Sequence, residues 1–475
     1  MLKQILNSSI FNSWFSNLVI LFNSILAIPI VITKLNVEAI NVWFLFFTIV
    51  SLSQGILFGF NGTFSRFLAY SYAGVKISEF RDLKNKKESN YAHTVDKYEF
   101  GRIFFLMKKI YIVLSLFYMI VIFLIGYFAL QKPINALQNH EIGWIAGLIV
   151  VVSTTLTLSF GYYQVFLEGI NKVALVQRII GITNLIGLFL ILAVLFLYPT
   201  LISIVIAYQI VAVGTIVVIT VFAREELKKL QITKKNHFFD KELFAIVWES
   251  AWKSGVTTIM ANVTKQISAI LVAQFFSPAL SASFLFTKRM FDILERLTMA
   301  TFQARIPMIA RYRSRGDFGT LMPYLRQTQY ISYIIFLFGY IVLISFGDQV
   351  ISMIKSNVEL GSVTLIILFS FATLSTRWAG MTLAMSNQAN HVVEHINVSI
   401  ITGVFFAIVI LMYRVLGINV FPFAQFMGVL VSAPFLAQLV YKAYHTSFKE
   451  YEKKVFIPMF IILSYINFIY FWSNI

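Results

Sequence analysis

Thirteen stretches of this chain are built almost wholly of apolar side chains, at 11–33, 40–63, 110–130, 143–163, 179–198, 202–222, 248–275, 279–303, 327–346, 360–385, 396–416, 420–441 and 455–473. Crossing the hydrocarbon core of a bilayer as a helix takes roughly 20 such residues, and only a helix or a closed barrel satisfies its backbone there. The pattern is continuous apolar, not the alternation of a barrel strand. The chain is 59% hydrophobic and 12% charged, where a soluble protein carries about 25% charged residues. So little charge cannot solvate a globule of 475 residues. The expected fold class is an all-α polytopic membrane protein.

A net charge of +17 would raise nucleic acid as a partner for a soluble protein. Here the basic residues sit in short segments between spans, where they meet anionic head groups, so membrane lipids and not nucleic acid are the expected partners. With the N-terminus in the cytoplasm, the inner segments hold 28 Lys and Arg and the outer ones hold only Lys34, Lys132, Lys355 and Arg414. The positive-inside rule therefore sets the orientation. Trp14 and Trp248 fall near inner ends and Trp43, Trp144 and Trp472 near outer ends, as interfacial rings should. Trp252 and Trp378 lie deeper, where they either pack helices or face a sugar.

Several chemistries find no footing. There is no cysteine, which excludes disulfides and thiolate sites. No G-x-x-x-x-G-K-[ST] loop is present, so no P-loop holds a nucleotide and work must come from gradients. His391, Glu394 and His395 spell H-x-x-E-H, but the pattern is short, lies in a polar turn between spans and has no evident third ligand. No metal and no cofactor are expected. N-x-[ST] matches at Asn61 and Asn262 lie inside spans and carry no glycosylation meaning. The 69–101 segment is polar and charge-mixed, a partly disordered or short-helical loop too small to bury a core. The stretch after Lys3 is too long for a signal peptide and reads as a retained first span.

The chain is halved. Trp14, Ser16, Phe46, Thr63 and Phe64 recur 238 residues later as Trp252, Ser254, Phe284, Thr301 and Phe302. Each half opens with two spans and a basic loop, and closes with two spans joined by a short turn, at 198–200 and at 417–420. Two six-helix bundles related by an internal repeat follow, over 1–238 and 239–454, with an additional span at 455–475. Parallel repeats of this kind place a substrate site between them. Pro29 and Pro434 offer bending points within spans one and twelve.

Charge inside the membrane is the informative signal. Spans one to six contain no Asp, Glu, Lys or Arg, whereas span seven holds Glu249, Lys253 and Lys265, span eight holds Lys288, Arg289, Asp292, Glu295 and Arg296, and span ten holds Arg377. An ionised residue at mid-span costs about 2.5–3.5 kcal/mol on insertion scales, so these must pair or line water, and they should face a cavity. Arg289, Asp292 and Arg296 share one helical face. That face reads either as a cationic stripe or as a self-neutralising ladder that joins span eight to its neighbours. Glu249 and Lys253 are spaced to pair with each other, while Lys265 and Arg377 have no carboxylate at pairing distance in their own helices. Those two are the better candidates for holding an anion. Asn12, Asn17, Asn23, Gln54, Asn61, Tyr162 and Tyr163 give the first half neutral polar groups suited to sugar hydroxyls or to helix packing.

The stretch VWESAWKSGVTTIMANVTKQISAILVAQFFSPALSASFLFTKRMFDILERLTMATFQARIPMIARYRSRGD resembles the opening of the C-terminal half of O-antigen and polysaccharide flippases, within the multidrug/oligosaccharidyl-lipid/polysaccharide exporter superfamily. GYYQVFLEGINKVALVQ resembles the turn between the fourth and fifth helices of the same family. The resemblance implies a V-shaped pair of six-helix bundles, a secondary transporter and not an enzyme. Such a protein flips an undecaprenyl-diphosphate-linked oligosaccharide, an O-antigen or capsule repeat unit used in lipopolysaccharide or polysaccharide biosynthesis, across the bacterial inner membrane by alternating access. On that reading Lys253, Lys265, Lys288, Arg289, Arg296 and Arg377 bind the substrate near its diphosphate, while Asp292, Glu295 and Glu249 couple to a proton or cation gradient. Partners would be the lipid-linked oligosaccharide and other polysaccharide-assembly membrane proteins. The thirteenth span and the long 69–101 loop depart from a plain twelve-helix member.

Two other functions compete. A multidrug or cation antiporter of the same superfamily would favour an acidic cavity for organic cations, and the first half has no acid in its spans. A membrane polysaccharide polymerase or glycosyltransferase would need a catalytic carboxylate or base in a sizeable outer loop, and the expected outer segments are all short.

Overall fold

The computed structural model describes residues 8–74, 77, 96–232, 240–303, 305–314, 316–388 and 394–474. Every regular element among them is helical. In chain order they are α1 (Ser9–Lys34), α2 (Val37–Tyr72), α3 (Lys97–Asn135), α4 (His140–Phe160), α5 (Tyr162–Gly169), α6 (Val173–Leu197), α7 (Leu201–Lys229), α8 (Lys241–Phe275), α9 (Pro278–Gln303), α10 (Ile306–Ser314), α11 (Phe318–Met353), α12 (Val363–Gln388), α13 (Glu394–Leu416), α14 (Val420–Ala443), α15 (Phe448–Glu452) and α16 (Phe456–Trp472). Each of the thirteen apolar stretches falls on one of the longer helices, the fourth running on through a break at Gly161 into α5. Most of the helices outrun their stretches at one end or both, because polar ends continue the same hydrogen-bond ladder once they leave the apolar layer. Thus α2 extends to Tyr72 and α3 already begins at Lys97, so both ends of the expected 69–101 loop are helical. Positions 75–76 and 78–95 of that loop, and Lys3 and His391, lie outside the described residues.

Nine segments of described residues are long and apolar enough to cross a membrane, with Val37–Ser53 and Phe456–Trp472 as shorter apolar helices. The chain is a multi-pass membrane protein. Its outer surface agrees, since Phe123, Phe128, Phe189, Phe338 and Ile410 are all exposed, as lipid-facing side chains are. The helix α9 is absent from the nine because it carries the charged residues of span eight.

The chain folds as two compact units, Met1–Asn262 and Val263–Ile475. The division lies within α8, past the 238/239 boundary that the repeat suggests. In the first unit α1 packs along α6, α2 along α3 and α4, α4 along α7, and α6 along α7. In the second, α9 packs along α11 and α12, α12 along α14, and α13 along α14, while Thr264 of α8 meets Thr402 of α13 through a 2.8 Å hydroxyl hydrogen bond. Span for span four pairings recur, second with third and fourth, fourth with sixth, and fifth with sixth, while first meets fifth in the second unit through that hydroxyl bond. The internal repeat is therefore a repeat of packing, although few residues repeat. Asn23 Nδ2 donates to the Asn184 carbonyl at 3.3 Å and Ser16 Oγ to Gln177 Oε1 at 2.6 Å, fixing α1 on α6. α16 adds to the second unit, packing on α12 and α11.

Within the first unit α2 and the start of α8 approach to backbone contact. A Cβ on Gly59 would stand 2.6 Å from Gly255 Cα and N and 2.8 Å from the Ala251 carbonyl oxygen, while one on Gly255 would meet nothing within 4 Å. Backbone cannot yield as a side chain does, and overpacking of this kind costs about 1–3 kcal/mol. Gly59→Ala is expected to lower the melting temperature of the purified protein in detergent, and Gly255→Ala to leave it unchanged.

Asp240 caps α8, its Oδ1 accepting from Leu243 N at 3.0 Å, and its Oδ2 takes a fork from Arg102 of α3, Nε at 2.7 Å and Nη2 at 2.6 Å. Burial opposes the charge on Asp240, but the N–H donors and the guanidinium outweigh it and hold the carboxyl below its ordinary range. A carboxyl lowered on folding contributes fully above its unfolded range and loses that contribution as pH falls through the folded value. Asp240→Asn should therefore cost about 1.5 kcal/mol at neutral pH. Melting curves of the two proteins should converge below the usual carboxylate range.

Candidate functional site

The charged helix α9 starts where Pro278 ends the preceding run. Its fixed φ suits the first helical position, and Ser277 just before it accepts from Leu280 N at 3.4 Å. The helix carries PALSASFLFTKRMFDILERLTMATFQ, so its buried face holds Phe284, Leu285, Phe291 and Phe302 while the polar positions gather on another side.

Five of the expected basic residues belong to the second unit, and the structure shows how two carboxylates are shared among them. Lys265, on the second part of α8, reaches across to Glu295 of α9, Nζ to Oε1 at 2.8 Å. Lys288 pairs one turn along its own helix with Asp292, Nζ to Oδ2 at 3.1 Å. Arg289 and Lys265 also lie within electrostatic reach of Asp292. Arg377 comes from α12 and is 1% exposed. Its Nη2 donates to Ser332 Oγ at 2.7 Å, its Nη1 meets Met299 Sδ, and its Nε has no hydrogen-bond partner among the described residues. Glu295 is within electrostatic reach of Arg377, as is Lys265. Arg296 is exposed.

Against Asp292 and Glu295 stand Lys265, Lys288, Arg289, Arg296 and Arg377, so three positive charges exceed what the two carboxylates can balance. Among apolar helices such an excess attracts an anion, and guanidinium and ammonium groups are the donors that phosphate oxygens take up best. Spacing within one helix missed the Lys265 to Glu295 pair, which depends on two helices meeting.

Glu249 and Lys253 lie on the part of α8 that belongs to the first unit. Lys253 Nζ sits 5.7 Å from the centroid of the Trp252 ring, a cation–π contact, and Trp252 is itself partly exposed. Most of the neutral polar groups of the first unit serve packing: Asn12 Nδ2 donates to the Ser8 carbonyl at 2.8 Å, Tyr111 OH donates to Asn61, and the Tyr162 and Tyr163 rings lie 4.3 Å apart. Asn17, bound to the Ser13 carbonyl at 2.9 Å, is exposed. Trp378 is buried and hydrogen-bonded to Glu452, a packing role and not a sugar-facing one. Among the described residues no three His, Asp or Glu side chains converge as a metal site.

No protein-family profile and no curated protein sequence matches the chain. Solved structures do. A multidrug resistance MATE family transporter of the MOP superfamily, in an inward-facing conformation, superposes with a TM-score of 0.62 at 13% identity over 90% of this chain and 96% of that one. The lipid II flippase MurJ, in an inward closed conformation, gives 0.55 at 14% identity over 98% of both chains. A MOP superfamily transporter from Pyrococcus furiosus, described as having a binding pocket of reverse polarity, gives 0.57 at 14% identity over 93% of this chain and 97% of that one. At such identity the likeness is one of fold. The chain has the fold shared by MATE transporters and MurJ.

Proposed function

We propose that this protein flips an undecaprenyl-diphosphate-linked oligosaccharide, an O-antigen or capsule repeat unit, from the cytoplasmic to the outer leaflet of a bacterial inner membrane by alternating access. The observation that carries the reading is the excess of basic over acidic side chains around α9, set in helices that are otherwise apolar. A diphosphate joined to a polyprenyl chain is an anion that must pass such a region with its sugar. Lys265, Lys288, Arg289, Arg296 and Arg377 are assigned to it, with Lys253 of the first unit. Asp292, Glu295 and Glu249 are assigned to a coupling proton or cation, because carboxylates at bilayer depth bind and release such ions. The lipid II flippase shares the fold, which supports a lipid-linked cargo, while the 28 to 4 bias of basic residues supports a cytoplasmic N-terminus. An organic cation would want the opposite balance of charge, although multidrug transporters share the fold too.

The test is deletion of the gene in its native host, with assay of surface glycan and of lipid-linked units on each leaflet. Loss of surface glycan with completed units held on the cytoplasmic leaflet is the expected result. Normal glycan with no trapped lipid would overturn it and bring the drug-antiporter reading forward.

A further inference from the structure

The second unit buries a carboxyl apart from the charged cluster. Glu452 ends the short helix α15, just before α16, and is 1% exposed. Its Oε1 accepts from Trp378 Nε1 of α12 at 2.6 Å and from Tyr441 OH of α14. Its Oε2 is buried with no hydrogen-bond partner among the described residues. An ionised carboxylate spreads its charge over both oxygens and needs donors on both, so an oxygen left dry is far less costly when the group is a neutral acid.

Among the described residues, nothing packed around it supplies the missing positive charge. From α11 come Tyr333, whose hydroxyl is likewise buried with no partner among those residues, and Tyr330 and Arg326; from α12 come Trp378 and Arg377; from α14, Tyr441. On its own segment stand Lys449, Glu450, Tyr451, Lys453 and Lys454, and Tyr444 and Arg313 lie beyond Tyr451. Each nearby arginine acts through a tyrosine. Arg326 lies 5.7 Å from the Tyr451 ring centroid, and Arg377 is within electrostatic reach of Tyr333, while no described base acts directly on the carboxyl. Tyr451 OH is spent on Gln329 Oε1 at 2.8 Å. Burial accordingly pushes Glu452 above the usual carboxylate range, despite the Tyr441 hydroxyl, the Trp378 ring N–H and the Phe456 backbone N–H of α16, which favour its charge.

We propose that Glu452 is a proton-binding site of the second unit, occupied in this conformation and emptied in the one that alternates with it. Its use in coupling rests on the transport reading above. In this conformation Asp292 and Glu295 have lysines at salt-bridge distance that meet their charge; Glu452 has none among the described residues. Release is a simple transfer: the acid gives its proton to water and becomes a carboxylate, which then requires a new donor and a shift of the ring or helix that shields it. The shift has a route to the site, because Trp378 both donates to Glu452 and stacks on Phe456 of α16 at 4.6 Å, and is the neighbour of Arg377 on α12.

The experiment is infrared difference spectroscopy of the full-length protein in lipid nanodiscs, wild type against Glu452→Gln. A protonated-carboxyl C=O band at neutral pH that is missing from the variant is expected. No such band, or a band the variant keeps, overturns the proposal. Should Glu452→Gln fail to fold, Trp378→Phe removes one donor and keeps the acid, so the band should move in frequency without disappearing; an unmoved band counts against the assignment. Coupling is read separately, as the dependence of transport on an imposed pH gradient, which Glu452→Gln should lose; dependence as steep as in the wild type would refute the coupling role. The spectroscopic band does not depend on the cargo, so failure of the proton site and failure of the flippase reading are distinct results.

Discussion

Lys265→Ala is expected to abolish export of the lipid-linked oligosaccharide while leaving the protein in the membrane at its normal level. Its pair with Glu295 is only half-buried, Lys265 38% and Glu295 24% exposed on their side chains, so the stability cost should stay below the roughly 3–5 kcal/mol of breaking a fully buried pair. The transport cost is large if the ammonium holds a phosphate. The pair with Glu295 allows these roles to be separated. Glu295 is itself assigned to coupling, so the separating readout is binding without a gradient: a lysine that only neutralised Glu295 would be dispensable for binding in the double variant Lys265→Ala, Glu295→Ala. A lysine that binds substrate leaves the double variant unable to bind, which is the expected outcome, measured as the affinity of the purified protein for the lipid-linked oligosaccharide. Arg289→Ala, which deletes a second base of the same group, should behave like Lys265→Ala.

Arg377→Leu should separate stability from function more sharply. The guanidinium is 1% exposed, rests on Ser332 and Met299, and holds no carboxylate at hydrogen-bond distance among the described residues. Replacing an unpaired buried charge by an apolar side chain of similar reach removes a desolvation cost that outweighs the one hydrogen bond lost to Ser332. The melting temperature in detergent is therefore expected to hold or rise while export is lost. A fall in melting temperature, with export declining only in step with the amount of folded protein, would make Arg377 a packing residue. The residue is closed off here, so a substrate role requires that α12 expose it during the transport cycle.

Much of the fold was legible because the bilayer imposes one rule on every span. The stretch 248–275 is helical in spite of Glu249, Lys253 and Lys265, and 279–303 in spite of five charges, since their remaining residues keep the apolar run and the helix is the only local way to satisfy the backbone in lipid. The ends were less legible. α2 runs nine residues past 63 and α3 starts thirteen before 110, because nothing in a polar sequence marks where lipid stops and helix continues. The repeat shows as a handful of matched residues in the sequence but as recurring helix pairings in the structure, since packing constrains size and face more than identity. At the site, the residue list came from the cost of charge in lipid, and the partners did not. The Lys265 to Glu295 bridge joins two helices, and Glu452, within KEYEKK, reads as one more charge in a basic interfacial stretch. Only the packing of Trp378 and Tyr441 over it reveals a buried acid.

The central claim, that the basic group around α9 exists to carry a lipid-linked anion, is tested most directly by reconstituting the purified protein into liposomes with an undecaprenyl-diphosphate-linked oligosaccharide. Appearance of the oligosaccharide on the opposite leaflet is read with a membrane-impermeant lectin or reductant. Transfer by the wild type that is lost in Lys265→Ala and Arg377→Leu, both still folded, is the predicted result. Transfer that persists in both variants, or a wild type that moves organic cations and not the lipid-linked sugar, would contradict it.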